Sequence, residues 1–260
     1  MIKIFDSTTH PTLTNFWNTQ NNKRLKSSFQ DLIKQMKKNN IVKACAMGLD
    51  KFENYDHLKF IEKCNKYKSL IPIAGLNPFN KEIEKELTLI KKLGFKGVKV
   101  HPRISNIDID NKEFARFLKI LEKKKLVLML CTYPHAKIGM YQKRNFVNIL
   151  NDLFVDIKNL RTILVHGGSV NLLNFSEFVR NNPNHFLLDL SMTMQKYRGS
   201  SIEQDIKFLF RTFDERICIG SDHPELNLKV LRKDFEYYSK GLDIKKKNNI
   251  AFNNLNNFFR

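Results

Sequence analysis

The chain has 260 residues, with 45 Lys and Arg against 26 Asp and Glu, a formal charge of +19. That length suits one α/β barrel and is short for two full α/β domains, so a single domain over residues 1–260 is expected. No apolar run approaches the roughly 20 residues needed to cross a bilayer, which argues against a membrane role.

Eight short runs rich in aliphatic and β-branched residues follow one another: Lys3 to Phe5, Val42 to Met47, Ile71 to Ala74, Gly97 to Val100, Leu126 to Leu130, Thr162 to Val165, Phe186 to Leu190 and Ile217 to Ile219. Such runs suit strands buried on both faces. Between them lie stripes with helical spacing: Phe29, Leu32, Ile33 and Met36; Ile83, Leu87, Ile90 and Leu93; Phe114, Phe117, Leu118 and Leu121. Steps of three and four put one face of each helix against a sheet. Gly94 and the pairs Asn39-Asn40 and Asn181-Asn182 are placed to end helices. Alternating strand and helix predicts a parallel sheet, and the first strand lacks the glycine-rich loop usual in an open doubly wound sheet. A closed (β/α)8 TIM barrel is therefore expected. The polar segment Thr12 to Ser28 is a long loop able to cover its mouth.

The start of the chain meets Asp6 before a signal-peptide core could form, and a cytoplasmic protein is expected. Cys45, Cys64, Cys131 and Cys218 are widely spread, with no Cys-x-x-Cys pair, and are expected to be buried thiols rather than a zinc cluster or disulfide framework. Lysine is spread over nearly every helix, as at Lys34, Lys37 and Lys38, beside abundant Asn. That pattern predicts solvated helix faces and no nucleic-acid partner. The expected partner is a small-molecule substrate, with a homo-oligomer left open.

Several runs end in residues able to do chemistry: His10 after the first, His101 after the fourth, His166 after the sixth and Asp222 after the eighth. In a parallel barrel these ends converge on one mouth, so one shared site is expected. Asp6, Thr8 and His10 alternate along the first strand, and Lys99 alternates with His101. A carboxylate among imidazoles can bind a divalent metal or act in acid–base catalysis. Arg103, Lys99, Thr8, Tyr133 and Arg198 are the candidate substrate-binding residues. An arginine fork at the mouth suits a carboxylate. Trp17 and Tyr133 could line the pocket, although lone aromatics near loops usually pack against neighbours.

Five motifs together resemble the amidohydrolase superfamily. They are Asp6 to His10, Gly94 to Pro102, Leu164 to Gly168, Gly220 to Pro224 and Ile250 to Asn254. The chain is most similar to the amidohydrolase-related (amidohydrolase 2) group of metal-dependent hydrolases, lactonases and decarboxylases. The resemblance implies a barrel with its site at the C-terminal strand ends. It further implies a first strand reading Asp-x-His-x-His, where this chain has Thr8 and His10, and a fifth-strand ligand histidine, where Leu130 is expected to stand. His135, a little downstream, is a candidate substitute. His166 and Asp222 match the sixth- and eighth-strand positions. The implied metal set is His10, His166 and Asp222, with His101 as a fourth group, holding a weakly bound divalent metal such as zinc or none. By the same resemblance the expected activity is hydrolysis of a lactone, ester or amide in a small carboxylated or sugar-derived substrate. Asp222 would be the general base, with His10, His101 and His166 orienting water and polarising the carbonyl. Decarboxylation of an unsaturated or aromatic acid, or a barrel that only binds a metabolite, are the alternatives.

Overall fold

A computed structural model describes residues 1–19, 23–134 and 144–260. The chain runs through β1 (Ile4–Thr9), a small antiparallel hairpin of β2 (Phe16–Asn18) and β3 (Arg24–Lys26), and then β4 (Ile41–Met47), β5 (Leu70–Gly75) and β6 (Gly97–Val100). It continues through β7 (Val127–Cys131), β8 (Thr162–Val165), β9 (Phe186–Asp189) and β10 (Ile217–Cys218). Apart from the hairpin, these strands form one eight-stranded sheet in sequence order, every pair parallel. Helices alternate with the strands, giving the expected (β/α)8 TIM barrel. The ring closes between its ends: Ser7 N donates to Ile219 O at 3.0 Å, His10 N donates to His223 O at 2.7 Å, and Thr9 bridges His223 in parallel register. Gly220 permits that closure, since a Cβ there would lie 2.2 Å from Thr8 Oγ1.

Each expected run forms a strand. The first differs most, extending to Thr9 instead of ending near Phe5. Ser7, Thr8 and Thr9 look like loop residues by polarity, yet they pair with β4 on one side and the β10 end on the other, and Thr9 Oγ1 donates to Cys45 O at 2.7 Å. Their backbone groups are thus satisfied inside the ring, as buried backbone must be.

Strand alternation divides the core. Phe5, Met47, Ile73, Met129, Val165 and Leu187 fill the barrel interior, while Ile4, Val98, Leu128, Leu130, Leu164 and Leu188 pack outward against the helices. Phe252 and Phe259 of the last helical segment pack on Phe5, with ring centroids 6.0 and 6.2 Å away, and back the inner cluster. The helices carry the predicted stripes and caps. Ser28 accepts from Asp31 N at 3.0 Å ahead of Phe29–Lys38, and Asn111 accepts from Phe114 N at 2.9 Å ahead of Lys112–Lys123. Gly94 ends Ile83–Leu93 at φ +95°, and Asn39 and Asn182 end two others. No helix among the described residues is long and apolar enough to cross a membrane.

The segment expected as a long loop carries the β2–β3 hairpin instead. Trp17, at its centre, is buried, lies 5.1 Å from the His10 ring and 4.5 Å from the Phe52 ring, and donates from Nε1 to Glu225 Oε1 at 2.6 Å. The hairpin is thereby fastened to the chain just after β10.

Candidate active site

β1 and β10 bring the first group of residues together. Asp6 accepts from Thr8 N at 3.1 Å, from Ser221 N at 2.9 Å and from Ser221 Oγ at 2.6 Å. Burial pushes its carboxyl up to about 7 against the lowering effect of Ser221. The Thr8 hydroxyl accepts from Asp222 N at 3.3 Å, and this bond fixes the backbone that carries the next carboxylate. His10 Nε2 stands 3.4 Å from Asp222 Oδ1. Burial would raise the Asp222 carboxyl, but the charges of His166, His10 and Lys99 together hold it well below the usual carboxylate range. It is an ionised carboxylate in a water-poor setting, where charge interactions are strong.

β8 and β9 fix His166. The chain leaves β8 through His166, Gly167 and Gly168, all at positive φ, and a Cβ on Gly168 would lie 2.1 Å from the Phe175 ring. Ser191 Oγ donates to Asp189, which also accepts from Ser7 Oγ and, at 3.2 Å, from His166 N. With its one proton spent on Asp189, Ser191 meets His166 Nδ1 only as an acceptor, at 3.0 Å from Oγ and 3.1 Å from its carbonyl oxygen. Nδ1 must therefore carry the proton, leaving Nε2 as the basic nitrogen. Burial alone would lower the imidazole, yet Asp222 and Cys131 raise it above its ordinary value.

β6 and β7 supply the remaining groups. His101 has the opposite tautomer, because its Nδ1 accepts from Ile104 N at 3.2 Å and so leaves Nε2 to carry the hydrogen. Lys99 is buried facing the interior, and burial lowers its ammonium from the ordinary lysine value. Cys131 ends β7 beside Val165, the residue before His166, and follows Leu130, the partner of Val100 just before His101; burial would raise its thiol, but the neighbouring imidazoles bring it well below its ordinary value. Over this group stands Tyr133, edge-on to His166 at 5.9 Å, with Arg103 5.1 Å and Lys196 4.7 Å from its ring centroid. Lys196 Nζ also donates to the Tyr133 hydroxyl. Two cations thus share one aromatic platform at the rim.

Of the residues singled out from sequence, the structure gathers His10, His101, His166, Asp222, Thr8 and Lys99 at the mouth, with Arg103 and Tyr133 at its edge. Arg198 is placed otherwise: Nη1 pairs with Asp234 Oδ1 at 2.9 Å, and the guanidinium lies 4.1 Å from the Tyr237 ring. Leu130 is a correction. It packs outward in the helix-facing core, and Cys131, two residues after the inward Met129, is the fifth-strand residue that faces the site. His135 lies outside the described residues. Sequence reasoning missed Cys131, Asp189, Ser191 and Lys196. Counting inward positions from Val127 by twos would have found the cysteine.

The expected metal set is not assembled as a cation would need it. Among the described residues, no three His, Cys, Asp or Glu side chains are grouped to hold a metal ion. Thr8, where the resemblance implied a ligand histidine, offers a hydroxyl already engaged with the Asp222 backbone. These residues fit charge stabilisation and proton transfer better than a closed coordination shell.

A closed barrel with imidazoles, thiol and carboxylate converging on the C-terminal strand ends defines a TIM-barrel protein with an enzyme-like mouth. The amidohydrolase family model matches residues 18–241, and the chain belongs to that family. No curated protein is a significant match. Among solved structures, one similar in fold is described as a probable 2-pyrone-4,6-dicarboxylic acid hydrolase from Acinetobacter baumannii with citric acid bound: TM-score 0.71, 15% identity, 99% of each chain covered. A 2,6-dihydroxybenzoate decarboxylase in complex with 2,6-dihydroxybenzoate has TM-score 0.72 and 15% identity over 100% of this chain and 99% of that one. An amidohydrolase from Burkholderia multivorans with bound zinc has TM-score 0.69 and 10% identity over 99% of each chain. At such identities the likeness shows the fold.

Proposed function

We propose that the chain is a hydrolase that opens a lactone, or cleaves an ester or amide, in a small substrate bearing a carboxylate. The observation that carries this reading is Asp222, a buried carboxylate kept ionised between His10 and His166 at the mouth. In that position it accepts a proton from water as the water attacks a carbonyl, and the imidazoles hold the developing charge. Arg103 and Lys196, flanking Tyr133, favour an anionic substrate. The described residues support this chemistry without a step that needs a resident metal.

The test is turnover of a panel of carboxylated lactones and activated esters by the wild type and by Asp222→Asn. The wild type is expected to release acid, and the variant to lose on the order of 1,000-fold in kcat/KM with an unchanged circular dichroism spectrum. Undiminished hydrolysis by Asp222→Asn would overturn the role of Asp222. Release of carbon dioxide from unsaturated or aromatic acids, with no hydrolysis of the panel, would replace this reading with decarboxylation.

A further inference from the structure

We propose that the end of the barrel opposite the mouth carries a second binding site, for a phosphate monoester with hydroxyl groups, such as a sugar phosphate. The proposal goes beyond the hydrolase reading and does not depend on it. An open cavity of about 250 Å³ lies there, and Arg161, Arg216, Glu215, Asn254 and Phe258 are among its lining residues. Arg161 directly precedes β8, and Glu215 and Arg216 directly precede β10, which places the cavity at the strand starts. His166 and Asp222 follow the same two strands at their other ends.

Both arginines are built into the sheet. Arg161 O accepts from Leu128 N and Arg216 O from Leu188 N, each at 2.9 Å, so strand pairing fixes both backbones. The half-buried side chains are anchored as well: Arg161 Nη1 donates to Phe258 O at 2.8 Å, and Arg216 Nη1 donates to Pro183 O at 3.3 Å. Among the described residues, Nε and Nη2 of each guanidinium are uncommitted and neither group is paired with a carboxylate. Glu215, on the same wall, has its charge partner in Lys245 at 4.0 Å. Two like charges on one cavity repel, and an oxyanion between them turns that repulsion into attraction at donors already held in place.

The chemistry of the lining selects the ligand. A guanidinium fork engages two oxygens at once, so two forks need more oxygens than one carboxylate has. A phosphate monoester offers three terminal oxygens and nearly two negative charges. Asn254 donates from Nδ2 to Asp214 O at 2.6 Å and to Ile217 O at 2.8 Å, which spends both of its hydrogens and leaves Oδ1 as an acceptor. An acceptor beside a cationic centre suits a ligand hydroxyl and disfavours a second anionic group. Phe258, on the last helix Asn254–Phe258, gives an apolar wall for the carbon frame between the two ends.

The full chain is titrated calorimetrically with ribose 5-phosphate at about 150 mM salt, where screening over roughly 8 Å suppresses the general attraction of a +19 chain for anions. Saturable binding of one equivalent is expected, with inorganic phosphate and malate each binding several-fold more weakly. Arg216→Gln and Arg161→Gln should each weaken ribose 5-phosphate about tenfold or more. Lys37→Gln, which removes the same charge from an exposed helix position, should change it by less than about twofold. Glu215→Gln should bind several-fold tighter, a gain that a folding defect cannot produce. The absence of saturable binding, equal weakening by Lys37→Gln, or weaker binding by Glu215→Gln would overturn the site. Malate or inorganic phosphate binding as tightly as ribose 5-phosphate would overturn the assignment of its ligand. Because Arg161 also holds the last helix, Arg216→Gln and Glu215→Gln decide the matter if Arg161→Gln does not fold.

Discussion

On the side of the mouth built by β1 and β10, carboxylates and hydroxyls are tied to backbone. Asp6 is held by Ser221 and Thr8, and Thr8 holds Asp222. On the side built by β6, β7 and β8, cations, imidazoles and a thiol face one another, with Lys99, His101, Cys131 and His166 buried together. The first side is a rigid acidic wall whose geometry is set by strand closure, and the second is a set of proton-transfer groups. The two halves meet through the attraction between Asp222 and His166, which lowers one group and raises the other. The difference teaches that the proposed chemistry needs both halves. In that chemistry the wall supplies the negative charge of Asp222, and the opposite side supplies groups whose protons can move.

The largest effect should come from cutting the link between the halves. His166→Asn removes an imidazole proposed to hold the developing charge and the partner of Asp222 at once, and a loss of about 1,000-fold or more in kcat/KM is expected. A variant within tenfold of wild type would show that the halves work separately. The wall alone is sharpened by Asp6→Asn. Folding raises the Asp6 carboxyl from 3.8 to about 7, so between those values the folded chain keeps a proton that the unfolded chain has lost. Stability contributed by that proton is full below pH 3.8 and falls as pH rises towards 7, by up to about 4 kcal/mol at 1.36 kcal/mol per unit. Urea midpoints from pH 4 to 7 should fall more steeply for wild type than for Asp6→Asn. Parallel curves would show that Asp6 titrates normally.

The eight strands were legible in the sequence because burial on both faces leaves continuous aliphatic runs, and their spacing was enough to place His10, His101, His166 and Asp222 at one end. The side-chain direction of β7 was not legible by motif. Leu130 looked like the ligand position, but strand period turns it to the helices and turns Cys131 inward. Asp189 and Ser191 escaped for another reason. They act on His166 through hydrogen bonds across 23 and 25 positions of sequence, respectively, and nothing local marks them. Arg198 shows the converse: its place in a loop after β9 suggested the mouth, whereas Asp234 on the helix Leu228–Tyr238 captures it.

Ser191→Ala tests whether the orienting groups behind His166 matter to the mobile-proton half alone. The Oγ acceptor at Nδ1 and the bridge to Asp189 are lost while the Ser191 carbonyl remains, so the ring loosens without losing its tautomer entirely. A fall of about tenfold in kcat with little change in KM, and a shifted pH–rate profile, are expected. A change in KM alone would show that Ser191 shapes the pocket and does not position His166.

The smallest effect concerns the hairpin that spans the wall. Trp17→Phe keeps the aromatic contact with His10 and Phe52 but removes the Nε1 donor to Glu225. One hydrogen bond to a carboxylate contributes about 1.5–3 kcal/mol when buried and less where water reaches it, and this one is part-buried. Loss of about 1 kcal/mol in denaturant midpoint stability is therefore expected, with kcat within a few-fold of wild type, since no proton-transfer group is touched. Because the same hairpin packs on His10, a much larger drop in kcat than in stability would mean that Trp17 sets the position of His10 against Asp222. The acidic wall would then extend from strand closure into the hairpin itself.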